Sequence, residues 1–545
     1  MKPQLSSWRD HWPLFASTVL LWLSILILWL LSLHNNDWRL VYPLDDTYIH
    51  MAIAKNAVLH HVWGVTQYGF SWSTSSPPWT AILASAYWCA GVHIGTPLVL
   101  NAILGTAMCA FAYFALRRRS GLSQGQVFVA MLALVFLTSI PSLTLIAMEH
   151  VLQLLVVCAF IYMAAASLAA PGAGGSLPVG LILLAPLVST ARYEGLFLIV
   201  PAVCLFALRR RFAVAALIFA AAIAPVIGLG LWAMHHGWYF LPSSLMIKGN
   251  LPVGLSILGV LQFAARPAIN MFVAPWLLVI GGAAAFALYR SLRSSATIWT
   301  WPTVALAMYL AMLAADITLS RTGIAWYSRY DAYLVGSGIF IFACCWKEPC
   351  FESIVAMFDP RVRSMLARVA MFAIAVAILS RALLTTISIP TGANIIYRQQ
   401  FQLARLLSDY YDSQSVAIND IGVASYMTHV RITDFFGLAT MAVAESMRTN
   451  QHNLPVIEQI CTAAGVKIAI VYRQVFPHGI PNGWIEIPSA GLLKPLSVGG
   501  PEFIFYAAGP EQASLLRARL DEFRHSLPAQ LQIPGTEAAP DAQRH

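Results

Sequence analysis

The chain has 545 residues, of which 59% are hydrophobic and only 10% charged. Soluble domains carry about 25% charged residues, so this composition excludes an ordinary soluble enzyme, a disordered chain and a disulfide scaffold, and it points to a polytopic membrane protein. The net charge of +9 is read as Lys and Arg pooled in cytoplasmic loops, not as a nucleic-acid footprint.

Leu14 to Leu33 is an apolar run of about 20 residues, long enough to cross a bilayer. No small-residue cleavage site follows it, so it predicts a retained first span with a cytoplasmic N-terminus. An outer loop at 34–96 carries Tyr42-Pro43-Leu44-Asp45-Asp46-Thr47-Tyr48-Ile49-His50. Within that loop Trp79 to Val92 is apolar but short and follows Pro77-Pro78, which predicts an interfacial or re-entrant element. Arg117-Arg118-Arg119, Arg209-Arg210-Arg211, Arg290 with Arg293, and Lys347 with Arg361, Arg363 and Arg368 each bound an apolar run. Placing all four clusters on the cytoplasmic side gives eleven spans, near 14–33, 97–116, 126–140, 150–170, 178–190, 195–208, 212–232, 270–289, 297–317, 331–346 and 366–385, with the C-terminus outside.

Residues 1–385 are thus expected to form a membrane domain. From about Thr386 charged and amide residues return. Residues 386–525 predict a soluble extracytoplasmic α/β domain: a helix over Arg398 to Tyr411, strands at Ser415 to Asn419, Val430 to Asp434, Lys467 to Tyr472 and Phe503 to Ala507, and an amphipathic helix over Gln512 to His525. The Pro-, Ala- and Gln-rich stretch 526–545 predicts a disordered tail. The eight cysteines include no CxxC pair and predict neither a disulfide nor a metal site.

A charge at membrane depth is costly unless it faces a cavity or a partner. In this topology Asp45, Asp46, Glu149, Arg192, Glu194, His235, His236, Lys248, Asp316, Arg321, Arg329 and Asp331 all fall on the outer side. That gathering suits a substrate with a lipid tail and a polar head. For Asp45-Asp46 two readings stay open. A carboxylate with a raised pKa takes a proton from a sugar hydroxyl, or the pair caps the helix that begins near Thr47. Lys248 holds a phosphate leaving group or snorkels to the headgroups. Arg329 does similar work or pairs with Asp331. His235 and His236 touch substrate or form an interfacial pair. Glu149 and Glu194 orient substrate or serve as partners of a nearby arginine, Arg192 in the case of Glu194.

With these residues in hand, the first 440 or so positions resemble the GT-C superfamily, integral-membrane glycosyltransferases that use polyprenyl-phosphate sugars. Asp45-Asp46, followed by Ala54-Lys55-Asn56 and Ser75-Ser76-Pro77-Pro78-Trp79, is similar to the family's acidic first outer loop. Ala147-Met148-Glu149-His150 resembles a Gly-Met-Glu-Thr step, and Arg192-Tyr193-Glu194-Gly195 an Arg-Pro-Glu-Gly step. Leu241-Pro242-Ser243-Ser244 through Lys248 resembles Leu-Pro-Asn-Thr…Lys, and Ser328-Arg329-Tyr330 an Arg-Tyr step before a late span. Asp420-Ile421-Gly422 with Thr433-Asp434-Phe435-Phe436-Gly437-Leu438 looks like the opening of the outer domain. The pattern is nearest to bacterial arabinofuranosyltransferase-like and mannosyltransferase-like proteins.

The resemblance implies a GT-C-like α-helical polytopic membrane protein with a C-terminal extracytoplasmic α/β domain, in the bacterial cytoplasmic membrane. It implies inverting transfer of a hexosyl or pentosyl group from a polyprenyl-phosphate donor to a glycan or lipid-linked acceptor. One of Asp45 or Asp46 would be the general base. Lys248 and Arg329 would hold the departing lipid phosphate, and Glu149, Glu194, Arg192, His235 and Tyr48 would complete the substrate-binding set. No cofactor and no divalent metal is expected, nor is nucleic acid a partner. The alternative is a transporter or flippase for a lipid-linked saccharide. It predicts charges near the midplane and pseudo-symmetric broken helices, whereas the charges here collect at one face. An O-antigen polymerase or ligase would carry its catalytic arginines in a large late outer loop.

Overall fold

The computed structural model describes residues 8–170, 177–248, 257–320, 327–348, 365–449, 451–472, 480–488, 503–528 and 531. The tail expected at 526–545 lies almost wholly outside these residues, as do Arg321, Arg361 and Arg363. The described chain is a helical bundle followed by a small α/β domain, the architecture expected from the sequence.

The bundle contains α1 (Trp12–Asn35), α4 (Thr96–Arg119), α5 (Gln124–Leu137), α6 (Ile140–Ile146), α7 (His150–Ala169), α8 (Val179–Ala191), α9 (Leu196–Leu208), α10 (Phe212–His235), α12 (Ile257–Val273), α13 (Pro275–Ser294), α14 (Trp301–Leu319), α15 (Ala332–Cys344) and α16 (Met365–Ile396). Short helices α2 (Asp45–Leu59), α3 (Pro77–Ala90) and α11 (Ser243–Lys248) lie in its loops. Among the described residues eight helical segments are long and apolar enough to cross a membrane. The remaining spans expected from the sequence, at 178–190, 195–208 and 331–346, correspond to α8, α9 and α15, each of 13 residues. The run expected at 270–289 is split at Ala274, because Pro275 lacks the N–H needed to continue α12. The helix that begins at Met365 runs through the composition shift at Thr386 and ends at Ile396.

Contacts at the helix ends give the bundle two unlike faces. Tyr113 on α4 donates to the Asp10 carbonyl at 3.0 Å, beside the start of α1. The Arg119 guanidinium lies 4.5 Å from the Trp301 ring centre and that of Arg209 4.8 Å from Trp299. One end therefore collects the arginine-rich termini of α4 and α9 with the start of α14. The opposite end holds α2, α3 and the start of α7. Two left-handed residues, Ser139 and Ala147 (φ 63° and 61°), bracket α6. That uncommon backbone, typical of functional sites, leads straight into Met148-Glu149.

The α/β domain has a five-stranded sheet ordered β2-β1-β3-β5-β4, from β1 (Ser415–Ile418), β2 (Arg431–Asp434), β3 (Ile468–Tyr472), β4 (Trp484–Ile487) and β5 (Phe503–Ala508). β1 pairs in parallel with β2 and β3, and β5 is antiparallel to β3 and β4. β4 is absent from the sequence expectation: four residues between Gly483 and Pro488 give too short an alternation to read. Val416, Ile418, Ile468, Ile470 and Phe505 pack against Leu516, Leu520 and Phe523 of the helix Pro510–Ser526, and the same core takes Ile49 and Ile53 from α2. The other side of α2, through Tyr48 and Met51, packs on Tyr397, Phe401 and Val423. Both of these sides of α2 are packed, so the helix is wedged between bundle and sheet domain despite its aspartates.

Candidate active site

Asp45 and Asp46 begin α2, and adjacent positions send them to different partners. Asp45 accepts the backbone N–H of Gly422 at 2.6 Å and of Val423 at 2.9 Å, so it caps the helix Gly422–Met427 of the α/β domain. A Cβ on Gly422 would lie 2.0 Å from the Asp45 carbonyl oxygen, so only glycine permits this approach. Asp420 sits alongside, accepting from Gln400 Nε2 at 2.7 Å and from the Tyr472 hydroxyl. Withdrawal from water, then repulsion from Asp420, pushes the Asp45 carboxyl up to about 8. Withdrawal from water also raises Asp420. The two neighbouring carboxyls therefore resist ionising together.

Asp46, with 24% of its side chain exposed, accepts from Arg329 Nη2 at 2.6 Å. Arg329 is buried. It also donates to the Tyr330 hydroxyl at 2.9 Å and approaches Met148 Sδ at 2.9 Å, while its Nε has no hydrogen-bond partner. Glu149, fully buried at the start of α7, accepts from Arg192 Nη1 at 2.8 Å and from Ser75 at 3.0 Å. Arg192 Nη2 reaches Glu194 at 2.7 Å. His50 Nε2 lies 3.6 Å from Glu149. The Tyr330 ring links the two arginines, with guanidinium carbons at 4.9 Å (Arg329) and 5.2 Å (Arg192) from its centre. Asp46, Glu149, Arg192, Glu194 and Arg329 thus form one largely buried cluster of three carboxylates and two guanidiniums at the end of the bundle opposite the arginine triplets. Such a network costs desolvation and is weak evidence of stability.

Other candidates lie elsewhere. Tyr48 is buried, its hydroxyl accepting the Tyr42 N–H at 3.0 Å, and it packs on Tyr42 and Tyr426. His235 is exposed and its ring lies 5.4 Å from His236. His236 stacks on Phe70 at 4.3 Å and lines a cleft of about 540 Å³ with Trp63 and Trp232; no residue of the Asp46 cluster lines it. Lys248 ends α11, and its side chain lies outside the described residues. Asp331 does not pair with Arg329: it accepts from Arg381 Nη2 at 2.6 Å and from Trp276 at 2.5 Å. Arg381 went unread in the sequence. Its signal was a lone arginine inside an apolar run, which demands a partner. His50, Ser75 and Tyr330 were quoted only as flanks of motifs. Among the described residues no group of three or more His, Cys, Asp or Glu is placed to hold a metal ion.

Comparison with known proteins adds three findings. A family model described as a domain of unknown function, DUF8728, matches residues 393–507, the last turn of α16 through most of β5. No curated protein matches the chain. Several solved structures are similar to it. ArnT from Cupriavidus metallidurans, bound to undecaprenyl phosphate, is 12% identical with a TM-score of 0.49, over 91% of this chain and 98% of that one. The archaeal oligosaccharyltransferase AglB from Archaeoglobus fulgidus, in complex with an inhibitory peptide and a dolichol-phosphate, is 12% identical with a TM-score of 0.41, over 86% and 70%. The arabinofuranosyltransferase AftD from Mycobacteria is 14% identical with a TM-score of 0.39, over 90% and 40%.

Proposed function

We propose that the chain is an inverting glycosyltransferase that moves a hexosyl or pentosyl group from a polyprenyl-phosphate donor to a glycan or lipid-linked acceptor at the outer face of a bacterial cytoplasmic membrane. One observation carries the reading: the partly exposed Asp46 carboxylate, held at 2.6 Å by the buried Arg329, within a cluster at the end of the bundle opposite the arginine triplets. Asp46 takes the proton of the acceptor hydroxyl as that oxygen attacks the anomeric carbon. The bond from that carbon to the phosphate oxygen breaks, and the lipid phosphate leaves as an anion. Arg329, whose Nε–H has no partner, holds that anion together with Lys248. Arg192, Glu149 and Glu194 fix the Tyr330 side of the cluster. Asp45 is assigned to positioning, since both its oxygens are engaged by Gly422 and Val423. Residues 1–385 are the catalytic membrane domain, and 386–525 an acceptor-side domain joined through that contact.

The test is sugar transfer by purified protein in detergent, with polyprenyl-phosphate sugars as donors. Asp46→Asn, which keeps an oxygen for Arg329 to bond, is expected to stay folded with a lowered melting point and to lose at least about 100-fold in transfer, the scale of a general base. Full transfer by Asp46→Asn overturns the assignment.

A further inference from the structure

The cluster contains polar groups that the mechanism above leaves unused. His150, the first residue of α7, is 1% exposed, and neither ring nitrogen has a hydrogen-bond partner. Gln153, also 1% exposed, has an unpartnered Nε2. Three residues apart on a helix, the two side chains share a face. Glu149 Oε2, next to His150, has no hydrogen bond either, although His50 Nε2 lies 3.6 Å from it. Buried polar groups are paired as a rule, and each one left unpaired is destabilising. Three such residues on one turn are therefore a standing cost at one place in the fold.

Their surroundings indicate what would satisfy them. His150 lies edge-on to the Tyr330 ring, centroids 6.3 Å apart at 88°. The same ring carries Arg329 and Arg192, and Arg329 holds Asp46. His150 is thus one aromatic ring away from the phosphate-holding cation and the general base. A donor's sugar is joined to its phosphate by a single C–O bond, so the ring must lie within that span. The free groups are also of mixed character. A neutral imidazole supplies one donor and one acceptor, the amide nitrogen donates, and a carboxylate oxygen accepts. A phosphate would need donors alone, whereas vicinal hydroxyls, each both donor and acceptor, match the mixture.

We propose that His150, Gln153 and Glu149 Oε2 form the subsite that reads the hydroxyls of the donor's sugar, with His150 and Gln153 as specificity-determining residues. This rests on the glycosyltransferase reading and adds the part of the donor that the site discriminates. A site built to bond a hydroxyl rejects a ligand lacking it far more sharply than an apolar pocket does.

The experiment is equilibrium binding to the full chain in detergent. The probes are undecaprenyl phosphate alone and the same lipid phosphate carrying glucose, mannose or arabinofuranose. Wild type is expected to bind at least one sugar form about 10-fold or more tighter than the bare lipid phosphate. His150→Phe and Gln153→Leu are each expected to lose about 10-fold of that preference, on the scale of one buried hydrogen bond, with bare lipid phosphate bound as before. His150→Gln, which keeps a donor and an acceptor, is expected to recover part of it. Should the apolar variants keep the sugar preference, the groups contact water only and the proposal is overturned. Absence of any sugar preference in wild type overturns it equally. If wild type fails to bind even the bare lipid phosphate, the glycosyltransferase reading itself falls, and the subsite with it.

Discussion

The two ends of the bundle use arginine in opposite ways. At one end Arg119, Arg209 and Arg293 lie on the faces of Trp301, Trp299 and Tyr289, each at least partly exposed. At the other, Arg329 and Arg192 are buried and reach carboxylates at 2.6 to 2.8 Å. A cation near water needs no counter-ion, and an aromatic face adds about 0.5–1 kcal/mol. A buried cation must be paired, and the pair rarely repays its desolvation. Residues kept despite that cost mark where the molecule does chemistry or fixes geometry.

Arg381 and Asp331 break the simplest form of this contrast. Their ion pair is fully buried, with neither side chain exposed, at 2.6 Å, and Arg381 also bonds the Ser328 carbonyl, next to Arg329, at 3.0 Å. It is a brace between α15 and α16. The largest stability effect is therefore expected here. Arg381→Met strands Asp331 and should cost about 3–5 kcal/mol, whereas replacing both partners with apolar residues should recover most of that loss. Thermal unfolding in detergent decides it. A double variant as unstable as the single one would mean the pair is more than a brace.

Asp45 and Asp46 repeat the contrast within one dipeptide. Asp45 joins the domains and Asp46 faces the proposed chemistry. Because the Asp45 carboxyl is pushed up to about 8 from about 4 in an unfolded chain, the folded protein binds more protons than the unfolded one across that window. The contribution of Asp45 to stability therefore falls as pH rises from about 4 to about 8 and levels off above. In Asp45→Asn the decline should be shallower when thermal unfolding in detergent is followed across that pH range. Equal slopes in both proteins would remove Asp45 from the pH dependence of the domain contact.

How much of this was readable follows from distance along the chain. The long apolar helices and four of the strands are local patterns of hydrophobicity and turn residues, and they stand in the structure. The partnerships of the charged residues were not local. Asp331 is two positions from Arg329 but bonds Arg381, 50 residues on. Asp45 looked like a cap for its own helix, and it caps one 377 residues away. The only sign of that contact was Gly422 in Asp420-Ile421-Gly422, and a glycine there becomes informative only once the Asp45 backbone is seen against it. His150 stood where the resembling family has threonine, a difference that carries meaning only beside Tyr330.

The smallest effect is expected at the arginine-rich end, and it tests the contrast from its weak side. Arg209 stacks on Trp299 and offers Nη2 to the Ala170 carbonyl at 3.4 Å, a long contact at a partly exposed position. Arg209→Gln loses a cation–π contact worth about 0.5–1 kcal/mol and strands no buried carboxylate. Its thermal midpoint should drop only slightly, and sugar transfer should match wild type. Removing a cation from this end does, however, weaken the charge bias that orients the chain, so the consequence to look for is topological. With Arg209, Arg210 and Arg211 all changed to Gln, a reporter fused after Ser526 should show a minor population of inverted molecules, while the single variant shows none. If the single substitution abolished transfer at unchanged stability, the arginine end would be part of the chemistry and the division between the two ends would fail.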